Sequence, residues 1–183
     1  MLENGVIRHC AATLAGIKTA NMFSYKFSDT DELMWELQEM NGKLNEKGVF
    51  VTVLKIRESK ALVYVYRKSQ LEADLNQKEV KAILAECGYE EAEMEECLNH
   101  LKERLAEYEC FPHEVGLFLG YPIPDVKGFI EQKGKNYKYS GIWKVYGDVF
   151  ETQKIFRKLE KCAQVYLRLF AGGRSITRLT VAA

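Results

Sequence analysis

Apolar residues recur at helical spacing in five parts of the chain. In the first part, Leu33, Leu37, Met40 and Leu44 are three or four positions apart, which is the repeat of a helix with one buried face. Asp29 and Glu32 precede this stripe at the spacing of a helix start. Similar patterns predict further helices at residues 76–88 with Asn76 as the capping residue, 94–105, 124–133 and 149–170.

Other apolar runs have the composition of β-strands. Residues 49–56 and 61–66 are rich in β-branched and aromatic side chains and flank a short polar segment, which predicts a β-hairpin. Three later runs alternate with the predicted helices, at residues 115–119, 142–146 and 176–181. This alternation implies parallel crossover units. The pattern therefore predicts an α/β (mixed α+β) fold, in which helices pack on a mixed sheet with an antiparallel hairpin and C-terminal βαβαβ units.

The chain shows no sign of division or export. No linker rich in glycine, proline or serine interrupts the 183 residues, so we expect a single globular domain over 1–183. The first ten residues lack the pattern of a signal peptide, and no apolar run approaches the length of a membrane span. The five cysteines are odd in number and scattered, as is typical of reduced thiols. We expect a cytoplasmic protein that binds no membrane.

Charge is balanced overall but unevenly distributed. Basic and acidic residues number 26 each, yet residues 133–178 hold eleven bases and three acids. Such a basic region favours an acidic protein partner, for example a flavodoxin. Aromatic and basic residues also interleave at 135–139 and 143–146, as in proteins that bind single-stranded nucleic acid. A half-exposed strand shows the same pattern, so we do not expect nucleic acid as a partner.

The predicted topology indicates where a ligand would bind. Sites in parallel sheets lie beyond the carboxyl ends of the strands, which here are residues 120–122 and 147–148. We expect a small-molecule pocket lined by Lys18, Tyr121, Trp143 and Lys144. The two lysines, together with Arg174, would supply charge to a phosphate or carboxylate. No nucleotide-binding fingerprint is present, and the sequence identifies no cofactor.

A thiol-dependent enzyme is the alternative. Cys110, His113 and Glu114 lie within five positions, and Cys10 follows His9. In this hypothesis Cys10 or Cys110 is the thiolate, His113 or His9 lowers its pKa, and Glu114 orients the imidazole. Buried cysteines more often serve as small hydrophobic residues. The sequence leaves open whether the protein is an enzyme.

A zinc site is a further alternative. Cys97 and His100 have the same spacing as Cys110 and His113, which is a layout that zinc ligands can adopt. The helical pattern, however, turns His100 toward solvent. We therefore predict no metal site.

Several phrases of the chain together resemble a known family. They are residues 9–23, 111–122, 125–130, 143–148 and 173–176. Over nearly its whole length the chain is similar to a family found mainly in anaerobic Firmicutes and catalogued as a domain of unknown function, number 3793. The resemblance implies a bacterial, anaerobic source and a link to redox or iron metabolism, but no reaction. The expected function is therefore small-ligand binding or protein interaction.

Overall fold

The computed structural model describes residues 1–89, 93–107 and 111–182. The chain divides into two compact units, one formed by Met1–Leu71 with Lys161–Ala183 and the other by Glu72–Glu160. In chain order the elements are α1 (Leu2–Leu14), β1 (Ala20–Lys26), α2 (Thr30–Leu44), β2 (Val49–Arg57), β3 (Lys60–Arg67), α3 (Lys68–Leu75), α4 (Lys78–Glu86), α5 (Met94–Glu107), α6 (Val115–Phe118), α7 (Ile123–Glu131), β4 (Tyr139–Ser140), β5 (Lys144–Val145), α8 (Val149–Ala171) and α9 (Ile176–Leu179).

The mixed α/β class is confirmed, with antiparallel sheets and helices packed on them. In the first unit the strand order is β1-β3-β2, and β3 pairs antiparallel with both neighbours. The hairpin of β2 and β3 is the predicted one, and Glu58 in its turn has a φ of 54°. The single-domain organisation stays a prediction.

The core of the first unit lies between helices and one face of this sheet. The side chain of Asp29 caps α2 by accepting the backbone amide of Glu32 at 2.8 Å, as predicted. The predicted stripe on α2 is buried, and it joins apolar residues of α1, the three strands and α9 in one cluster. The cluster includes Leu2, Val6, Ile7, Leu33, Val63 and Ile176.

The second unit is mainly helical. Met94, Leu98, Leu101 and Leu105 form the buried face of α5, as their spacing predicts. Pro124 stands in the first turn of α7, where its missing amide hydrogen costs nothing. The strands β4 and β5 form a short antiparallel hairpin of their own.

The predicted C-terminal βαβαβ units are wrong. Residues 115–119 and 176–181 hold the helices α6 and α9, and the run at 142–146 contains only the two-residue strand β5. Short apolar runs fit a buried helix as well as a strand, because they are too short to show a period. All strand pairs within the described ranges are antiparallel. Within these ranges, no carboxyl ends of parallel strands therefore mark a ligand site.

One further detail differs from expectation. Asn76 does not cap the second predicted helix, because α4 begins at Lys78 after Gln77, whose side chain makes no capping hydrogen bond. Among the helices that the structure describes, none combines the length and the apolar character needed to cross a bilayer.

Candidate functional site

The buried carboxylate of Asp125 organises one end of the second unit. It is 3% exposed and lies in the first turn of α7. Its Oδ2 accepts the indole Nε1 of Trp143 at 2.7 Å, and its Oδ1 accepts the backbone amides of Tyr146 and Gly147 at 2.8 Å each. Three donors thus satisfy both oxygens, as a buried charge requires. Asp125 therefore fastens β5 and the following turn to the start of α7.

Aromatic rings pack in a row next to this carboxylate. The rings of Tyr121 and Trp143 are stacked, with centroids 4.5 Å apart and planes at 25°. The ring of Phe156 packs edge-on against that of Trp143, with centroids 4.5 Å apart and planes at 85°. Burial raises the pKa of Tyr121 to about 12. Tyr121 and Trp143, both predicted as ligand-binding residues, are therefore in direct contact.

Glycine allows the closest contacts around this row. A Cβ added at Gly128 on α7 would lie 2.4 Å from side-chain atoms of Tyr146, and one added at Gly116 would lie 2.8 Å from Val126. Real Cβ atoms essentially never approach other atoms so closely. These glycines let α6, α7 and the β4–β5 hairpin pack around the aromatic row.

A cavity of about 400 Å³ lies beside Tyr121. It is bordered by the end of α3, the first turn of α4, the helix α6 and the start of α7. Its apolar lining consists of Val80, Leu117, Tyr121, Pro122, Ile123 and Pro124. Its polar lining consists of Asp74, Gln77 and Glu79. The cavity thus combines an apolar wall with a polar rim of similar extent.

The charged groups at this cavity are acidic. Asp74 accepts a 3.4 Å hydrogen bond from Nε2 of Gln77, and Glu79 accepts a 2.7 Å hydrogen bond from Nζ of Lys127. Among the described lining residues, no lysine or arginine is present. The cavity therefore does not match the predicted pocket for a phosphate or carboxylate.

A family model identifies the protein family to which this chain belongs. The family model described as "Protein of unknown function (DUF3793)" matches residues 6–180. The chain belongs to the DUF3793 family. No curated protein and no solved structure matches it. The matched range includes Tyr121, Asp125 and Trp143, so the aromatic row and its cavity lie within the DUF3793 domain.

Lys144 follows Trp143 in the DUF3793 chain, but its side chain contacts residues outside the aromatic row. Its Nζ donates to the carbonyl of Gly134 at 2.7 Å. The same ammonium lies 4.9 Å from the ring centroid of Tyr137 and 5.7 Å from that of Phe129, which is the geometry of cation–π contacts. Lys144 therefore tethers the loop before β4 and does not line the cavity.

Lys18 and Cys10 belong to the first unit, whereas Tyr121, Trp143 and Lys144 belong to the second. Lys18 is buried, and its Nζ donates to the carbonyl of Ala20. Burial lowers the pKa of Lys18 to about 7. Cys10 is fully buried, and that burial raises the pKa of its thiol. An accessible, acidic thiol is what a nucleophile needs, so the environment of Cys10 opposes that role.

Two other described candidates of the thiol-enzyme hypothesis, His113 and Glu114, lie in the second unit. The buried carboxylate of Glu114 accepts Nε of Arg104 at 2.6 Å and the hydroxyl of Tyr89 at 3.2 Å. The imidazole of His113 contacts the ring of Phe129 edge-on, with centroids 5.1 Å apart. Glu114 thus forms an ion pair with Arg104 inside the second unit. Cys110 lies outside the described residues, and its role stays a prediction.

The zinc-site alternative also needs Cys110 as a ligand, and Cys110 lies outside the described residues. Cys97 is buried on α5, and the ring of His100 meets Tyr89 edge-on at 4.5 Å. Within residues 1–89, 93–107 and 111–182, no three histidine, cysteine or acidic side chains are grouped closely enough to hold a metal ion.

Sequence reasoning missed a buried guanidinium in the first unit. Arg67, at the end of β3, is 2% exposed. It donates to the carbonyls of Thr13, Leu14 and Val181 at 2.7 Å each. The first two carbonyls belong to the C-terminus of α1, where the helix dipole favours a cation. An arginine at a strand end is normally exposed, so the sequence carried no signal for this arrangement.

Proposed function

We propose that this protein binds a small organic molecule in the cavity beside Tyr121. The observation that carries the proposal is the cavity itself, of about 400 Å³, at the low end of the range for ligand sites. Polar and apolar atoms share its lining about equally, and the apolar part includes the aromatic ring of Tyr121, a combination that ligand sites use for affinity and orientation. This volume suits a molecule with one ring.

The wall formed by Tyr121 is held in place before any ligand arrives. Trp143 stacks on Tyr121 and is itself fixed by its hydrogen bond to Asp125. A fixed wall reduces the ordering cost of binding, because fewer side chains have to be immobilised. Trp143 therefore supports the site from behind Tyr121.

A pair of matched variants tests this function. Ile123 lines the cavity, whereas Ile142 is 43% exposed in the same unit and does not. Ile123→Trp should fill the cavity, and Ile142→Trp should leave it open. Wild-type protein is screened against a library of single-ring fragments by ligand-observed NMR, and each hit is then tested on both variants.

The proposal expects fragments that bind wild type and Ile142→Trp but fail to bind Ile123→Trp. It is abandoned if every fragment binds all three proteins alike, or if none binds wild type. Thermal unfolding of both variants checks that they are folded.

A second candidate function is transient binding of an acidic protein, such as a flavodoxin. It is favoured by Lys154, Arg157 and Lys158, which are exposed together on α8, and by Phe150, which is 64% exposed nearby. The double variant Lys154→Glu/Lys158→Glu should abolish salt-sensitive association with a flavodoxin in surface plasmon resonance. Lys26→Glu/Lys60→Glu makes the same charge change at exposed positions of the first unit and should have a smaller effect.

We further propose a reducing compartment such as the cytoplasm. No disulfide joins the four cysteines that the structure describes, and reduced thiols persist where disulfides are kept reduced.

A further inference from the structure

We propose that the groove between α2 and the edge strand β2 binds an extended peptide segment of another protein, one with a lysine or arginine beside apolar residues. The groove lies in the first unit, has a volume of about 680 Å³ and is lined by residues of these two elements. None of its lining residues lines the Tyr121 cavity. This interaction is therefore additional to the proposed function.

Strand β2 leaves one edge of the sheet open. Within the described residues it pairs with β3 alone. In an antiparallel pair, the N–H and C=O groups of successive residues point alternately toward the neighbouring strand and away from it. Val51 directs both groups away from β3, because they bond to a side chain of α2. Val53, two positions later and before the register shift in β2, therefore directs its own N–H and C=O into the groove.

A side-chain amide already pairs with this edge as a second strand would. Nδ2 of Asn41 donates to the carbonyl of Val51, and Oδ1 of Asn41 accepts the amide of Val51, at 2.8 Å each. Residues of neighbouring antiparallel strands exchange the same two hydrogen bonds. In the described chain, no hydrogen bond outside the β2–β3 ladder reaches the backbone of Val53. The edge is therefore able to pair with a peptide at Val53.

The α2 side of the groove presents large apolar side chains. Met34 is 55% exposed and Trp35 is 62% exposed, and both line the groove. Adjacent exposed apolar residues of this size are typical of interaction surfaces. Alternate side chains of a strand point to the same face of its sheet. A peptide that pairs with Val53 would therefore pack every second side chain on Met34 and Trp35.

Asp31 determines which charge the groove favours. It is the one charged residue among the described lining residues, and it makes no hydrogen bond or ion pair with the rest of the described chain. The positive end of the α2 dipole offsets its charge only in part, because Asp29 and Glu32 lie at the same end. The basic residues Lys55 and Arg57 follow the register shift in β2 and do not line the groove. A peptide with a lysine or arginine therefore complements the groove better than an acidic one.

A library of random heptapeptides displayed on phage supplies the probes. Phage are selected on wild-type protein after depletion on Met34→Ser/Trp35→Ser, and the enriched peptides are synthesised. Their affinities are measured by fluorescence polarisation on wild type, Trp35→Ala and Asp31→Asn. Phe150→Ala and Glu46→Gln are the matched controls, because both residues are exposed and neither lines the groove. Thermal unfolding checks that each variant is folded.

The enriched peptides should carry apolar residues at alternate positions and an excess of lysine and arginine. Trp35→Ala should weaken their binding at least about tenfold and Asp31→Asn about threefold, as expected for loss of an aromatic anchor and of an exposed ion pair. Both control variants should bind as wild type does. N-methylation of alternate peptide amides should abolish binding in the phase that removes the donor to Val53, and should leave it intact in the other phase.

The proposal is overturned if no peptide is enriched, if the enriched peptides are acidic, or if they bind Trp35→Ala as tightly as wild type. Binding that survives both phases of N-methylation also overturns it. So does a dimer, detected by light scattering, that Trp35→Ala dissociates, because a second copy then fills the groove. These outcomes leave the proposed function intact, since the comparison of Ile123→Trp with Ile142→Trp decides it separately.

Discussion

The indole Nε1 of Trp143 donates a 2.7 Å hydrogen bond to Oδ2 of Asp125. Because Oδ1 of the same carboxylate accepts two backbone amides, one buried side chain fixes three groups of the β5 region. It does so from the first turn of α7, the turn that also carries Pro124 of the cavity wall. The stability of this region and the shape of the cavity are therefore linked through Asp125.

Replacing Asp125 should destabilise the protein more than removing any one of its partners. Asp125→Ala should lower the free energy of unfolding by about 3 kcal/mol, because three donors lose their acceptor in a buried place. Trp143→Phe keeps an aromatic ring on Tyr121 but leaves Oδ2 of the buried carboxylate without its donor, so it should cost about 2 kcal/mol. Urea unfolding followed by far-UV circular dichroism measures both. Equal losses in the two variants would contradict the role given to Asp125.

Adding one methyl group at Gly128 should also destabilise the protein. The new Cβ would lie 2.4 Å from Tyr146, so Gly128→Ala should cost about 2 kcal/mol through overpacking. Gly42 on α2 is the matched control, because a Cβ there meets nothing within 4 Å. Gly42→Ala should stabilise by about 0.5–1 kcal/mol, as usual for this change inside a helix. A stabilising Gly128→Ala would show that Tyr146 can move aside.

The parts of the fold that were predictable have strong local signals. The helix α2 has a capping aspartate, Asp29, and four apolar residues at helical spacing, so its sequence alone specifies its start and its buried face. The hairpin of β2 and β3 has a short polar turn between two runs with high β propensity. These elements could be predicted because the interactions that define them lie within a few residues.

The incorrectly predicted elements lack such signals. The helix α6 is only four residues long, too short to show helical spacing. The helix α9 did carry one usable signal, since Ser175 caps it by accepting the amide of Arg178 at 3.4 Å. An apolar run after a capping serine should therefore be tested as a helix before it is assigned to a strand.

The site was only partly predictable for a different reason. The sequence predicts Tyr121 and Trp143 in one site, and their rings do stack, but the strand pairs in the described parts of the chain are antiparallel. The direction of a long side chain depends on tertiary contacts far along the chain. Lys144 is the clearest example, because its ammonium reaches Gly134 and two aromatic rings.

The ion pair of Arg104 and Glu114 should matter far more than an exposed pair of the same length. Nε of Arg104 lies 2.6 Å from Oε1 of Glu114, whose side chain is 2% exposed. Arg104→Met should cost about 3 kcal/mol, because it leaves a buried carboxylate without its cation. Nζ of Lys154 also lies 2.6 Å from Glu151, but both side chains are exposed, so Lys154→Met should cost less than about 0.5 kcal/mol.

A double-mutant cycle separates the pair from its surroundings. Because Glu114→Gln removes the buried charge, the double variant Arg104→Met/Glu114→Gln should be more stable than the sum of the single losses predicts, by about 1–2 kcal/mol. Urea unfolding of the four proteins measures this coupling. Strictly additive losses would mean that the two charges do not stabilise each other.

The buried ammonium of Lys18 should give stability a distinctive dependence on pH. Its pKa in the folded protein is about 7, chiefly because of burial, and the nearby Cys10 opposes this shift. In the unfolded chain the pKa of lysine is about 10.4. Between these values the unfolded state binds more protons than the folded state, so stability rises with pH, by at most about 1.4 kcal/mol per pH unit. Below pH 7 both states are protonated, and the cost of burying the charge is fully present.

Lys18→Met removes this titration and keeps an unbranched apolar side chain. The variant should therefore gain stability relative to wild type at pH 6, and that relative gain should shrink steadily as the pH is raised to 9. Urea unfolding of both proteins at pH 6, 7, 8 and 9 measures the difference, in which the contributions of all other titrating groups largely cancel. A difference that stays constant with pH, or that grows toward pH 9, would show that Lys18 keeps its proton in the folded protein.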